Sequence, residues 1–147
     1  MATIFTLKKA VQPYYLYMVI DILKNQEQGS VGQRFCLAIL YKMSSLKDVI
    51  YYYHDKKLHL QMIDIIRNAQ DNKTHNFCLD YASSILGNIV CEKFILESYV
   101  QDQKEAIKIM KAILELPSSK FGCGVNKNIL FILAQFKSSQ KECDFNL

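Results

Sequence analysis

The sequence predicts an all-α fold, a stack of about three helical repeats with incomplete units at both ends. Apolar residues recur at spacings of three and four rather than two, which is the period of helices and not of strands. A phrase also recurs. Ile20-Asp21-Ile22-Leu23-Lys24-Asn25 returns 43 residues later as Ile63-Asp64-Ile65-Ile66-Arg67-Asn68, and Phe35-Cys36-Leu37 returns 42 residues later as Phe77-Cys78-Leu79. Finally, two prolines and five glycines in 147 residues leave long stretches free to be helical.

The elements follow in order from the punctuation. The helix after Pro13 reads as the last helix of a unit whose beginning is missing. Ser30 with Gln33 reads as a capping box opening a helix through about Lys42, and Ser45 with Asp48 as a second box opening a helix through about His54. A third helix, Leu58 to Asn68, closes the unit. The next unit has a helix from about Thr74 to Cys91, a shorter one through Tyr99, and a third from the cap Asp102 to before Pro117. Ile107-Lys108-Ile109-Met110-Lys111, 44 residues after Ile63-Asp64-Ile65-Ile66-Arg67, is a fainter third copy of the phrase. The last helix spans about Val125 to Lys137, with Asn128-Ile129-Leu130 answering Asn76-Phe77-Cys78 at a larger offset, as though "SSKFGCG" were inserted. The organisation is an N-terminal extension over 1–12, a helical repeat domain over 13–138 and a C-terminal tail over 139–147. Single helices of this kind have no opposite wall, so stacking is what gives them a core.

Composition narrows the class. The chain is 50% apolar and 12% aromatic, long enough for one domain with a real core and unlike a disordered segment. Its net charge of +4 is spread along the chain without a basic tail or acidic run. The five cysteines, Cys36, Cys78, Cys91, Cys123 and Cys143, are odd in number, lack CxxC pairing and fall largely in apolar runs, which points to a reducing, cytoplasmic compartment. The opening segment places its lysines after a short apolar stretch and then has Pro13 and Asp21, matching neither a signal peptide nor a membrane span. Asn72-Lys73-Thr74 fits a glycosylation acceptor but reads as a turn in such a chain.

Three helices in about 42 residues resemble the armadillo-repeat family. The segment Leu79-Asp80-Tyr81-Ala82-Ser83-Ser84-Ile85-Leu86-Gly87-Asn88-Ile89, with Phe35 to Met43 and Leu46 to Ile66 before it, is most similar to the LisH-domain armadillo proteins of basal bodies and cilia. In that family a leucine, an acidic residue, a tyrosine, small residues, paired leucines and an asparagine recur in one repeat's first helix. The resemblance covers roughly residues 20 to 90. It implies an armadillo-like solenoid acting as a non-catalytic scaffold at the cilium, axoneme, basal body or other microtubule-associated cytoskeleton. No site residue is carried over from it.

The residues themselves offer a candidate partner-binding surface. The outward face of the third helix in each unit is polar: Asp21 and Lys24, then Asp64 and Arg67, then Lys104, Lys108 and Lys111, with Tyr17 at the edge. On the last of these helices Ile107, Met110, Ile113 and Leu114 lie to the other side. Such a ladder would contact an extended protein partner, although the same positions also suit an ordinary solvated face. Chain ends that stop within a unit would expose apolar helix flanks and call for a neighbour.

Other motifs read as structure. The run Tyr51-Tyr52-Tyr53-His54-Asp55 spreads its rings around a short helix, so one ring is expected in the core and another exposed at an interface. His54, His59 and His75 fall at no metal-ligand spacing, and the loop at Gly122 and Gly124 lacks the lysine and hydroxyl of a phosphate cradle. No catalytic residue, cofactor, metal or small-molecule substrate is indicated, and no membrane partner. A helical-repeat nucleic-acid-binding module is the alternative reading, against which the thin positive charge counts.

Overall fold

The computed structural model of the chain describes residues 13–68, 76–101 and 123–142. Among the described residues there are seven helices and no strand: α1 (Pro13–Lys24), α2 (Val31–Met43), α3 (Lys47–Asp55), α4 (Leu58–Asn68), α5 (Asn76–Cys91), α6 (Lys93–Gln101) and α7 (Cys123–Glu142). The expected helix from Asp102 to before Pro117 lies outside the described residues, as do the segments 1–12 and 143–147.

Local chemistry sets the boundaries. Proline opens α1, where its fixed φ suits the helix and its missing N–H is one the first turn would leave unused. The chain leaves α1 through Gly29, whose φ of 79° favours a residue without Cβ. Ser30 then caps α2, its Oγ accepting the Gln33 N–H at 3.1 Å. The reciprocal half of the box is displaced by one residue, because Gln33 Oε1 accepts from the Gly29 N–H at 2.8 Å. The second expected box does not form. Leu46, not Ser45, is the residue before α3, and it makes no side-chain cap. Ser44 instead closes α2, with both its N–H and its hydroxyl donating to the Tyr41 carbonyl at 3.0 and 2.6 Å. Lys57, at φ 57°, makes the tight corner between α3 and α4.

Helix packing repeats as the text does. The contact of α2 with α5 recurs as α5 with α7, that of α3 with α5 recurs as α6 with α7, and that of α1 with α2 recurs as α4 with α5. One apolar core runs through all of it, from Leu16, Ile20 and Leu23 of α1 to Val125, Ile132 and Phe136 of α7. Leu37, Leu40, Leu58, Met62, Ile66, Ile85, Leu86 and Ile89 are fully enclosed. Each such side chain contributes about 1.5–3 kcal/mol relative to exposure. Polar side chains also join successive layers. The Asn88 amide donates to Ser44 Oγ at 2.7 Å, and the Asn128 amide donates to Ser83 and Ser84 Oγ at 3.0 and 2.9 Å.

Two sequence expectations change in detail. Helix α7 runs from Cys123 to Glu142, beyond the expected Val125 to Lys137 and across the expected boundary at 138. Its buried residues Val125, Ile132 and Phe136 keep a helical period, but Leu130, which the larger offset paired with the buried Cys78, is 67% exposed. The repeat phrase therefore does not carry into α7 at that offset.

Candidate interaction surface

The polar positions of the expected ladder are distributed over α1 and α4. Asp21, Lys24, Asp64 and Arg67 are all exposed. Lys104, Lys108 and Lys111 lie outside the described residues. Lys24 Nζ stands 3.8 Å from Asp21 Oδ1 one turn away, a pair open to water on both sides and so worth little to stability. Lys24 and Asp64 line the same shallow depression, about 260 Å³ in volume, with Gln26, Gln28, Gln33, Gln61 and Asn68 around them. An ammonium from one unit and a carboxylate from the next thus border one depression. Arg67 does not line that depression.

Tyr17 and Asp21 border a different depression on α1, with Met18, Ile22 and Asn25. Lys56 reaches over from the end of α3 and places its ammonium 4.0 Å from the centre of the Tyr17 ring, and Tyr52 meets that ring edge-on at 6.5 Å between centroids. Tyr17 is therefore held by α3 rather than standing alone at the ladder's edge. Sequence reasoning missed Lys56 and Tyr52 here because the contact joins segments without a shared motif.

A chain of glutamines forms the floor of the first depression. The Gln33 amide donates to Gln28 Oε1 at 3.1 Å, and the Gln28 amide donates to the Ile65 carbonyl at 3.1 Å. Gln33 is buried, so its hydrogen bonds are made away from competing water. This network ties the α1–α2 turn to α4 and holds the two units' polar edges in register. The capping-box spacing singled out Gln33, but only as a local partner of Ser30.

The tyrosine run does not leave a ring exposed. Tyr53 is fully buried and its hydroxyl donates to the Leu40 carbonyl at 2.8 Å. Burial raises its phenol well above the ordinary value. Tyr51 is half-buried and donates to Glu92 Oε1 at 3.0 Å across the unit boundary; partial burial, then that carboxylate, raises its pKa. The Tyr52 hydroxyl is enclosed with no hydrogen-bond partner among the described residues. Burial, then the neighbouring Tyr17 and Asp21, raises it.

His54 and His59 stack at 6.2 Å between ring centres. Among the described residues no group of three or more histidine, cysteine or acidic side chains is placed to hold a metal. Cys36 and Cys78 are buried thiols and Cys91 is exposed. Burial pushes the Cys36 and Cys78 thiols up, with Arg34 partly opposing this at Cys78. No helix among the described residues is long and apolar enough to cross a membrane.

Comparison with models of known families, with curated proteins and with solved structures finds no match to this chain.

Proposed function

We propose that the chain is an armadillo-like helical solenoid that serves as a non-catalytic protein–protein interaction scaffold, gripping an extended partner along the polar edge of its α1 and α4 helices. The observation that carries this reading is the depression that Lys24 of one unit and Asp64 of the next both line. Mixed charges and amide groups at that spacing suit a polypeptide backbone with side chains of both signs, which a single-sign groove would reject. The recurrence of the same helix contacts from unit to unit supports the solenoid. The expected setting, a ciliary, axonemal or basal-body structure within the cytoskeleton, rests on the family resemblance.

The test has two arms. A tagged copy in ciliated cells is expected at cilia or basal bodies, and a diffuse cytoplasmic signal would remove the ciliary setting. In pull-downs from the same cells, Lys24→Glu with Arg67→Glu is expected to lose the partners that the parent chain recovers. Unchanged recovery would overturn the proposed surface.

A further inference from the structure

The floor of the depression between α1 and α4 is left with donors to spare. The Gly29 N–H can only donate and the Ile65 carbonyl can only accept. Their bonds to Gln33 Oε1 and from the Gln28 amide, at 2.8 and 3.1 Å, therefore fix which way round both carboxamides lie. The bond from the Gln33 amide to Gln28 Oε1 at 3.1 Å follows from that orientation. Both oxygens are then bonded. A carboxamide nitrogen carries two N–H groups, and each of these has used one among the described residues, so Gln28 and Gln33 each keep an uncommitted donor. Gln33 is 3% exposed, and both residues line the depression. An enclosed N–H of this kind costs free energy until an acceptor reaches it.

The rim has the opposite character. Asp64 accepts and cannot donate; it is exposed and belongs to neither ion pair found among the described residues, whereas Lys24 stands 3.8 Å from Asp21 on its own helix. Gln26 lies over the start of α2 in room that glycine leaves, since a Cβ on Gly32 would overlap its carboxamide. The volume, about 260 Å³, is below the roughly 300–1,000 Å³ of a small-molecule pocket. It suits one side chain rather than a cofactor.

We infer that this depression takes the side-chain carboxamide of a partner protein's glutamine or asparagine. The inference rests on the reading of α1 and α4 as the edge that grips a polypeptide, and names the group that enters it. The occupant has to accept from the floor and donate to Asp64. A lysine or arginine side chain only donates and leaves the floor's N–H groups unmatched, while a carboxylate only accepts and faces Asp64. An aliphatic side chain does neither and shuts both away from water. A hydroxyl has both functions on one atom, whereas the donors are at the enclosed floor and the acceptor at the exposed rim. A primary carboxamide carries an oxygen for the floor and an NH2 group for Asp64 on one planar, uncharged group, so it brings no charge that has to leave water.

Nuclear magnetic resonance of the isotope-labelled whole chain, titrated with the N-acetyl methylamides of glutamine, glutamate, arginine and leucine, tests it. All four probes carry the same main-chain amides, so only the side chain differs. The glutamine probe is expected to shift the side-chain amide signals of Gln28 and Gln33 and to saturate in the millimolar range, and the other three are not. Asp64→Ala is expected to weaken that binding by roughly tenfold or more, the worth of a hydrogen bond to a charged group, with the fold retained because Asp64 is exposed. Asp64→Lys leaves the site with donors alone and is expected to move the preference to the glutamate probe. Asp48→Ala, on the exposed side of α3, is expected to change nothing. No saturable shift with glutamine, equal shifts with leucine, indifference to Asp64→Ala, or a preference unmoved by Asp64→Lys would each overturn the proposal. So would saturable shifts from adenosine in place of glutamine, since a base edge also pairs a donor with an acceptor. The two readings fail separately. If the glutamine probe binds as expected while Lys24→Glu with Arg67→Glu keeps every partner, the carboxamide site stands and the scaffold edge falls. If that double variant loses its partners while the probe leaves Gln28 and Gln33 unmoved, the edge stands and the carboxamide site falls.

Discussion

Removing one oxygen from the core, by Tyr53→Phe, isolates a single structural role. The Tyr53 hydroxyl donates at 2.8 Å to the carbonyl of Leu40, in the last turn of α2, while the Ser44 N–H that could have closed there goes to Tyr41 instead. Tyr53 therefore satisfies a helix-end carbonyl from a neighbouring helix. Phenylalanine keeps the ring and its packing but leaves that carbonyl buried without its donor, which costs about 1–2 kcal/mol. For a chain of this length the melting temperature should fall by about 2–8 °C. Urea unfolding followed by circular dichroism near neutral pH measures the difference, with the midpoint lowered and the slope unchanged.

The same variant has a second signature at high pH. Burial raises the Tyr53 phenol above its ordinary value of 10.0, so the folded chain holds a proton that the unfolded chain gives up. This contribution is complete below the unfolded value and is lost as pH rises from there toward the folded one. The loss is at most about 1.4 kcal/mol per pH unit for one proton. The parent should therefore lose stability above about pH 10 more steeply than Tyr53→Phe, and the two curves should converge. Equal midpoints at neutral pH, or parallel alkaline limbs, would refute the assignment of Tyr53 as a buried, neutral donor.

Tyr52→Phe, next to it, should behave oppositely: the enclosed hydroxyl has no partner among the described residues, so its removal is expected to be neutral or stabilising by up to about 1 kcal/mol in the same urea titration, with a clear loss counting against the assignment. Gly87→Ala, in α5, should also stabilise, by about 0.5–1 kcal/mol, because a Cβ there would meet Phe131 and Ile132 carbons at 3.7 and 4.0 Å, ordinary contact distances. A lowered urea midpoint would mean that α7 sits closer to α5 than these distances show.

What the sequence could reveal depended on how local the cause was. Helix α4 was legible to the residue, Leu58 to Asn68, because its apolar period and the recurring phrase agree. Ser30 was legible as a cap because the N–H it accepts from, that of Gln33, is three residues away. Ser45 was misread by the same rule, since a serine and an acid at capping distance also arise where one helix is ending: Ser44 is already bound back to Tyr41, and the turn is used up before Ser45 could cap. Phe35 and Phe77 share a word in the repeat, yet a word says nothing of which layer covers it, and Phe35 is largely exposed. On the candidate surface, the ladder positions on α1 and α4 could be placed on one helix face from spacing alone. The ammonium over Tyr17 and the glutamine floor could not, because each joins side chains whose proximity is set by packing between helices.

The bonds between layers explain why the stack has a definite register rather than a sliding one. Asn88 donates to Ser44 Oγ, and that hydroxyl donates in turn to the carbonyl three residues before it, at Tyr41. One layer later Asn128 donates to Ser83 Oγ, which donates to the carbonyl three residues before it, at Asp80. The same relay, amide to hydroxyl to carbonyl, is thus built twice at sequence separations of 44 and 45 residues. Apolar contact between two helices tolerates small slips, because one methyl group can replace another. An amide that must reach a hydroxyl already committed to its own helix does not, since a slip would leave polar atoms without partners in a poorly hydrated seam. The hydrophobic period accounts for the helices stacking, and these relays fix where along one another they stack.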